Sequence, residues 1–281
     1  MTFSDKMHRY ASHPGSTAIS FVTHLGAFIS FAVLIFLVAY ILIKGIPYLT
    51  PGLFSFTYTS DNVSLMPALI NTLIMTVLSL VIAAPIGIFA AIYLVEYAKK
   101  GSKFVKLIRV TAETLSGIPS IVYGLFGMLF FVTALHWGYS MLAGSFTMVI
   151  MILPLILRTA EEALLSVPDA YREASFGLGA GKLRTVFRTV LPSAIPGILS
   201  GVILATGRIV GETAALIYTS GTVAQVAGLS DSGRTLAVHM YNLSSEGLHM
   251  NQAYATAVVL LVLVLVINFL SDFIAKRIVK G

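Results

Sequence analysis

Residues 114–157 read TLSGIPSIVYGLFGMLFFVTALHWGYSMLAGSFTMVIMILPLIL, a run of 44 residues without a single Asp, Glu, Lys or Arg. A bilayer core about 30 Å thick is crossed by roughly 20 apolar residues of helix, so this run is long enough to cross it twice. The break HWGY at residues 136–139 divides it, and such polar and aromatic residues are typical of the membrane–water interface. The stretch therefore predicts two membrane helices joined by a short loop.

The composition extends this interpretation to all 281 residues, of which 57% are hydrophobic and only 11% are charged. Soluble domains carry roughly 25% charged residues, so a soluble globular domain and a disordered chain are excluded. The lack of cysteine excludes a disulfide framework and a thiolate metal site. The predicted fold class is an all-α membrane protein with six transmembrane helices, near Ser20–Ile43, Pro67–Val95, Val110–Leu135, Ala143–Leu165, Ser193–Thr219 and Ala253–Ala275.

Lysine and arginine are distributed unevenly between the loops. Fifteen of the 18 fall on the side that has both termini and the loop 166–192, if Arg158 near the end of the fourth predicted span is counted there; two fall on the other side, and Arg208 lies inside the fifth span. Loops rich in Lys and Arg are retained in the cytoplasm, so both termini and this loop are predicted to be cytoplasmic. The first apolar segment is too long for the core of a secretory signal, so we expect an uncleaved helix in a multi-pass protein of the cytoplasmic (inner) membrane.

Arg208 and Glu212 are the two charges of the fifth predicted span, and their four-residue spacing predicts one shared helical face. A charge at the bilayer centre costs roughly 2.5–3.5 kcal/mol, so such residues mark function or meet a partner. A guanidinium offers a planar fork of donors that matches a tetrahedral oxyanion, and Glu212 would compete with the anion for it. Two interpretations stay open here: an anion gate on a substrate pathway, or an ion pair that fixes helix packing.

Small residues recur at four-residue steps along the same span, which lets another helix backbone approach closely. They predict a central, tightly packed helix, and the glycines assigned to this packing are Gly197, Gly201, Gly207 and Gly211.

The loop 166–192 contains a candidate docking element. Pro168 and Asp169 are typical of a helix start, and three glycines at 177, 179 and 181 provide a stop. The pattern predicts a short amphipathic helix that projects from the membrane and binds a partner. A helix lying on the lipid headgroups is the alternative.

This loop resembles a known motif. Glu173-Ala174-Ser175, then Gly179 and the terminal TVLP at 189–192, is similar to the EAA loop of ABC-importer permeases (EAA-x3-G-x9-I-x-L-P), with Ser175 in place of the third Ala and Thr189 in place of Ile. The resemblance implies the type I ABC importer permease fold and a coupling helix at 169–181 seated in a groove of a cytoplasmic ATPase. The residues that it assigns to coupling are Asp169, Tyr171, Arg172, Glu173, Ala174, Ser175, Phe176 and Gly179.

Two further stretches, GIPSIVYGLFG at 117–127 and ATGRIVGETA at 205–214, resemble segments of phosphate-importer permeases, and the chain is similar to the PstA-type subunit from about Pro67 onward. The resemblance implies import of inorganic phosphate. It also implies a PstC-type second permease, a PstB-type ATPase dimer that binds ATP and Mg, and an external PstS-type phosphate-binding protein. In that family an intramembrane Arg and Glu are implicated in phosphate passage, and Arg208 and Glu212 occupy the matching places.

The sequence offers no catalytic or metal-binding set and no cofactor site of its own. The six histidines lack the spacing of metal ligands, and the glycines before Lys182 lack the G-x4-G-K-[S/T] spacing of an ATP-binding loop. We therefore expect a subunit that is not itself an enzyme and that contacts membrane lipid but no nucleic acid. Alternatives are a permease for molybdate, tungstate or sulfate, a passive anion channel, or a membrane enzyme acting on lipid, for which no nucleophile–base pair is present.

The expected organisation is an N-terminal tail, first helix and first external loop at 1–66, a transmembrane domain at 67–275 and a cytoplasmic tail at 276–281. The glycine- and serine-rich segment 221–252 either dips into the membrane or meets an external partner, and the sequence leaves this choice open.

Overall fold

The computed structural model of the chain describes residues 14–99 and 101–280, so the basic residues Lys6 and Arg9 of the predicted tail lie outside the described part. The described residues form helices and connecting loops, with no strand among them. In chain order the helices are α1 Pro14–Gly45, α2 Met66–Ile92, α3 Lys103–Ser116, α4 Ser120–Gly127, α5 Met141–Leu165, α6 Asp169–Gly177, α7 Lys182–Thr185, α8 Leu191–Gly211, α9 Ala214–Ile217, α10 Leu236–Glu246 and α11 Met250–Lys280. Wider π-helical turns extend α2 through Tyr93–Tyr97 and α4 through Met128–Ala134, and Val186–Val190 joins α7 to α8.

Within the described part, five helical segments are long and apolar enough to cross a membrane: Ala18–Tyr48, Met66–Tyr97, Met141–Leu165, Lys182–Gly211 and Met250–Ser271. A sixth span results when α3 and α4 with its extension are counted together. The predicted all-α membrane protein is thereby confirmed. Its first, second, fourth and sixth spans begin and end within several residues of the predicted positions.

The third predicted span, Val110–Leu135, is wrong in its first part. The chain bends by 101° between Lys103–Ser116 and Ser120–Ala134, so one straight helix does not exist there. Pro119 sits at the bend with φ −59° and ψ 141°, outside the helical region, because a proline cannot donate the backbone hydrogen bond that would continue α3. The helix before the bend has charged residues on one side, which a fully embedded span would not carry.

The fifth predicted span, Ser193–Thr219, is also corrected. Its helix begins earlier, at Lys182, and ends at Gly211, where Glu212 takes extended angles of φ −72° and ψ 130°. The Glu212 carboxylate accepts the backbone N–H of Ala215 at 3.0 Å and so stabilises the start of a separate short helix, α9. This local hydrogen bond competes with continuation of α8, which is why the helical pattern breaks.

The core lies between α2, α5 and α8, and α5 is its centre. In an apolar stretch of 18 residues, two-thirds of the residues of α5 are buried, whereas none is buried in the corresponding stretch of α1. Fully buried side chains of this core include Met75, Met148, Ile152, Ile156, Ile209 and Leu216. The helix α1 is peripheral and meets α11 through Gly45, whose missing Cβ leaves room for the backbone of Tyr254.

We call the end of the bundle that carries α3, α6 and α7 the basic end, and the other one the opposite end. At the opposite end, buried Asn71 of α2 holds the returning segment 221–235 in place. Its amide donates to the carbonyl oxygens of Gln225 at 2.8 Å and Arg234 at 3.1 Å, and its side-chain oxygen accepts the N–H of Ala227 at 3.0 Å. Three hydrogen bonds from one side chain therefore fix this segment on the end of the bundle.

Candidate functional site

The interruption between α8 and α9 lies inside the bundle rather than at its surface. Gly124 of α4 packs against the backbone of Ala215 in α9, and Gly127 packs against Thr219. From these glycines α4 and its extension still run to Ala134, so on the order of 15 Å of helix lie between the interruption and the opposite end. Non-helical backbone at such depth is tolerated where it is buried in protein or lines a water-filled cavity.

Arg208 lies at this interruption, in the last turn of α8. Its side chain is half-buried, and it makes no hydrogen bond or ion pair with any described residue. The carbonyl end of a helix carries a partial negative charge, which stabilises a cation there. The donors of its guanidinium therefore stay available for a ligand, while the helix end accounts for part of the stability of the charge.

The predicted pairing of Arg208 with Glu212 on one helical face is wrong. The helix ends between them, and no ion pair within 4.0 Å joins them among the described residues. Glu212 is only 9% exposed, and its carboxylate instead organises the first turn of α9 through Ala215. The two residues still flank the same break in the fifth span, from its two sides.

The glycines of the fifth span divide into two pairs. A Cβ at Gly197 would lie 2.7 Å from the Cβ of Ala163, and one at Gly201 would overlap the Thr159 side chain, so both positions adjoin α5. At Gly207 and Gly211 a Cβ would meet no atom within 4 Å. The first pair lies in a helix–helix contact, while the second leaves an open surface on either side of Arg208.

The helix α6 stands out from the basic end, and none of its residues is buried. Asp169, Tyr171, Glu173, Ala174 and Phe176 are exposed, Ser175 is half-buried, and Gly179 takes a left-handed φ of +78°. The Ser175 hydroxyl lies 2.8 Å from that of Thr185 in α7. Most of the predicted coupling residues thus present an accessible face that a partner can contact.

Arg172 is the exception, because it points back into the bundle. Its guanidinium donates to Glu96 at 2.7 and 3.1 Å and to the carbonyl oxygens of Leu164 at 3.0 Å and Val167 at 2.8 Å. The side chains of Arg172 and Glu96 are 15% and 8% exposed. Arg172 therefore fastens α6 to the ends of α2 and α5, two of the three helices of the core.

Sequence reasoning missed two residues of this region. Glu96 is distant in sequence, and nothing in its neighbourhood predicts Arg172 as its partner. Leu178 is 90% exposed, which makes it the most accessible large apolar side chain of the described residues. An isolated leucine between two glycines of a predicted loop was a signal that could have identified it.

A second concentration of charge lies at the basic end, around a cleft of about 250 Å³ between α3 and α5. Arg109 donates to Glu161 at 2.6 Å, and Arg158 pairs with Glu162 at 3.3 Å and with Glu113 at 3.9 Å. Each arginine there has its own carboxylate, so the cleft offers no uncompensated charge to an anion. The described residues also contain no group of three His, Cys, Asp or Glu that could hold a metal ion.

Residues 83–281 match the sequence model of a family described as "Binding-protein-dependent transport system inner membrane component". A Bacillus subtilis protein, "Probable ABC transporter permease protein YqgI", is 33% identical over 271 residues, which cover 89% of this chain and 91% of that protein. "Phosphate transport system permease protein PstA 1" of Mycobacterium tuberculosis is 40% identical over 154 residues, which cover 55% of this chain and 50% of that protein.

Two solved structures share the fold. One chain of a bacterial ABC transporter involved in the import of alginate superposes with a TM-score of 0.69 at 18% identity, covering 96% of this chain and 99% of that one. One of the MetNI methionine ABC transporter superposes with a TM-score of 0.60 at 21% identity, covering 76% and 94%. At these identities the likeness concerns the fold alone, which is that of the permeases of type I ABC importers.

Proposed function

Since the chain belongs to the family of binding-protein-dependent transport system inner membrane components, we propose that it is the permease subunit of an importer for inorganic phosphate in the cytoplasmic membrane. ABC importer permeases work with a separate ATPase, and a relative of this fold has been solved with a substrate-loaded periplasmic protein. The partners that we propose are a second, PstC-type permease, a PstB-type ATPase dimer that binds the ATP and Mg, and an external PstS-type binding protein.

The observation that carries the phosphate assignment is the state of Arg208. It lies at a break in a membrane span, half-buried and without a hydrogen bond or ion pair to any described residue, and the flanking Gly207 and Gly211 leave the surface beside it open. A lipid-facing charge there would be costly, so this surface faces a wet pathway between two permease subunits. A guanidinium binds phosphate oxygens through two parallel hydrogen bonds, which suits it to a tetrahedral oxyanion. Relatives named as phosphate transport permeases support the same substrate.

Glu212 supplies the opposing charge in this proposal. It lies across the break from Arg208, nearly buried and fixed through the N–H of Ala215. An anion bound at Arg208 is attracted by the guanidinium and repelled by the carboxylate, so its binding is weak enough to be reversible. Alternating access then needs only a modest movement of the two helix ends relative to each other.

Movement reaches this site from the ATPase through α6. The exposed face of α6, with Tyr171, Glu173 and Leu178, contacts the ATPase in our proposal. The inward-facing Arg172 passes the displacement to α2 through Glu96 and to α5 through the Leu164 carbonyl oxygen. Both helices pack in the core with α8, which carries Arg208 at its end.

Uptake by the complete transporter tests the substrate. Proteoliposomes that contain the chain with its permease, ATPase and binding-protein partners should accumulate labelled phosphate only when ATP is supplied. A hundredfold excess of unlabelled sulfate, molybdate or tungstate should leave this uptake nearly unchanged. Strong competition by one of these anions would replace phosphate by that anion, and accumulation without ATP would favour the passive channel, which has no need of an exposed α6.

A further inference from the structure

Arg234 is buried at the opposite end of the bundle, far along the chain from Arg208. It precedes the helix α10, only 6% of it is exposed, and its backbone is fixed by Val223 and Asn71. The guanidinium makes no hydrogen bond and no ion pair with any described residue, and one of its terminal nitrogens is fully buried without a partner. A buried arginine is normally paired, because an uncompensated charge away from water is strongly unfavourable.

One contact of Arg234 is present, and it does not satisfy these donors. The guanidinium carbon lies 4.6 Å from the centre of the Tyr58 ring, a cation–π arrangement that uses the flat face of the group. The N–H donors of a guanidinium lie in its plane and point away from such a ring. Packing against Tyr58 therefore explains where the side chain lies, but leaves its hydrogen-bonding edge open.

Two other buried polar groups near Tyr58 and Arg234 are also poorly satisfied. The His239 ring is fully buried and lies edge-on to Tyr58 at 6.3 Å, and apart from a weak contact with the Val63 backbone its nitrogens have no hydrogen-bond partner among the described residues. The hydroxyl of Thr235, next to Arg234, is buried and unpartnered as well. A neutral imidazole and a hydroxyl each have one hydrogen to donate, so both can add to the donors of the guanidinium.

The local backbone holds this cluster in place under strain. Val63, fully buried beside Tyr58 and the end of α10, has a left-handed φ of +46°, which a β-branched residue rarely adopts. Backbone strain of this kind persists where the surrounding structure fixes it and is concentrated at binding sites. The start of α10 also contributes a partial positive charge close to Arg234.

We propose that Arg234, Thr235 and His239 form a binding site for a small, dehydrated inorganic anion at the opposite end of the bundle. Arg234 and Thr235 are neighbours at the start of α10, and Arg234 and His239 both lie against Tyr58. No carboxylate of the described residues neutralises Arg234, and the helix start adds positive potential. The ligand must be small because the protein covers more than nine-tenths of each side chain. Chloride and an inorganic oxyanion such as phosphate share this chemistry. The site is separate from Arg208 and does not depend on the proposed transport function.

Thermal unfolding of the full chain in detergent, at constant ionic strength with gluconate as the bulky reference anion, tests this proposal. Replacing gluconate by chloride, phosphate or sulfate should raise the unfolding midpoint in a saturable manner for at least one of the three. A response to chloride identifies a structural halide, and a response to phosphate or sulfate alone identifies an oxyanion site. If no anion raises the midpoint above gluconate, the proposal is overturned.

Single-residue variants test whether the rise in the unfolding midpoint depends on Arg234. Arg234→Gln should abolish the saturable rise, while Arg184→Gln, which alters an exposed arginine, should keep it. The rise should also persist in Arg208→Gln, which separates this site from the proposed transport site. If Arg234→Gln does not fold, His239→Leu and Thr235→Val each remove one donor and should raise the half-saturating anion concentration severalfold. An unchanged rise in Arg234→Gln, or in both substitutes, would contradict the site.

Discussion

The contact between Arg172 and Glu96 gives a quantitative prediction about coupling. The change Glu96→Gln keeps the size of the side chain and removes its charge. In the structure one Glu96 oxygen accepts two N–H groups of Arg172, at 2.7 and 3.1 Å, and both side chains are largely buried. The substitution therefore leaves a buried guanidinium with a neutral and weaker partner.

The magnitude follows from the bonds that are lost and kept. Removing one partner of a buried ion pair costs about 3–5 kcal/mol. Arg172 keeps its ion pair with the exposed Asp169 at 3.2 Å and its bonds to the carbonyl oxygens of Leu164 and Val167, and the amide oxygen of the new Gln still accepts one bond, so we take the lower limit. About 3 kcal/mol corresponds to a factor of roughly one hundred in the equilibrium between an attached and a detached α6.

The assay is the number of substrate ions imported per ATP hydrolysed by the complete transporter in proteoliposomes. Glu96→Gln should lower this ratio by about tenfold or more, since a factor of roughly one hundred in attachment is available, while ATP hydrolysis continues.

A matched control is the pair Arg158 and Glu162, whose side chains are 52% and 67% exposed. Exposed ion pairs contribute about 0–1 kcal/mol, so Glu162→Gln should leave the ratio unchanged. An unchanged ratio in Glu96→Gln, or an equal fall in Glu162→Gln, would refute the mechanical role of Arg172.

Three further predictions concern stability. Gly201→Ala should lower the free energy of unfolding by about 1–3 kcal/mol, because its Cβ overlaps Thr159, whereas Gly207→Ala should not lower it; denaturation in mixed micelles compares the two. Burial and then the Arg234 charge lower the pKa of His239 to about 3, against a weaker opposite effect of the adjacent Val63 backbone. As pH falls, His239 is therefore protonated in the unfolded chain before it is protonated in the folded one. The free energy of unfolding should fall as pH drops from about 6.5 toward 3, by at most about 1.4 kcal/mol per pH unit. The variant His239→Gln should remove this pH dependence in thermal scans at stepped pH. Asn71→Leu should lower the free energy of unfolding by about 3 kcal/mol or more, because the buried backbone groups that bond to its amide would lose their hydrogen-bond partner. Limited proteolysis should then cleave within 221–235, and an uncleaved segment would count against that anchoring.

The membrane spans could be predicted because their signal is local. Uncharged runs longer than 20 residues predict helices whatever surrounds them, and the break at 136–139 was readable from its polar and aromatic residues. The bend at Pro119 was harder to predict, because prolines are also tolerated inside helices here, as at Pro85 and Pro154. Whether a proline kinks a span or ends it depends on what its neighbours pack against.

The site residues divide in the same way. The accessible face of α6 follows from a motif in one short segment. The relation of Arg208 to Glu212 was predicted from helical spacing, and that spacing failed because the Glu212 side chain bonds to the backbone three residues ahead. The partnership of Arg172 with Glu96, 76 positions apart, is a property of the packed bundle and has no trace in local sequence. The cluster of Arg234 and His239 likewise needs Tyr58 from a distant loop.

Phosphate uptake and ATP hydrolysis measured together on the Arg208→Ala transporter examine the proposed pathway most directly. Loss of a charge-assisted contact worth about 3 kcal/mol should reduce uptake roughly a hundredfold, while the chain still inserts and the assembly still hydrolyses ATP. Arg208→Lys keeps the charge without the planar fork, so its uptake rate should lie between those of the unaltered and the Arg208→Ala transporters. Uptake at the unaltered rate in Arg208→Ala would mean that the ion crosses the membrane without meeting this guanidinium.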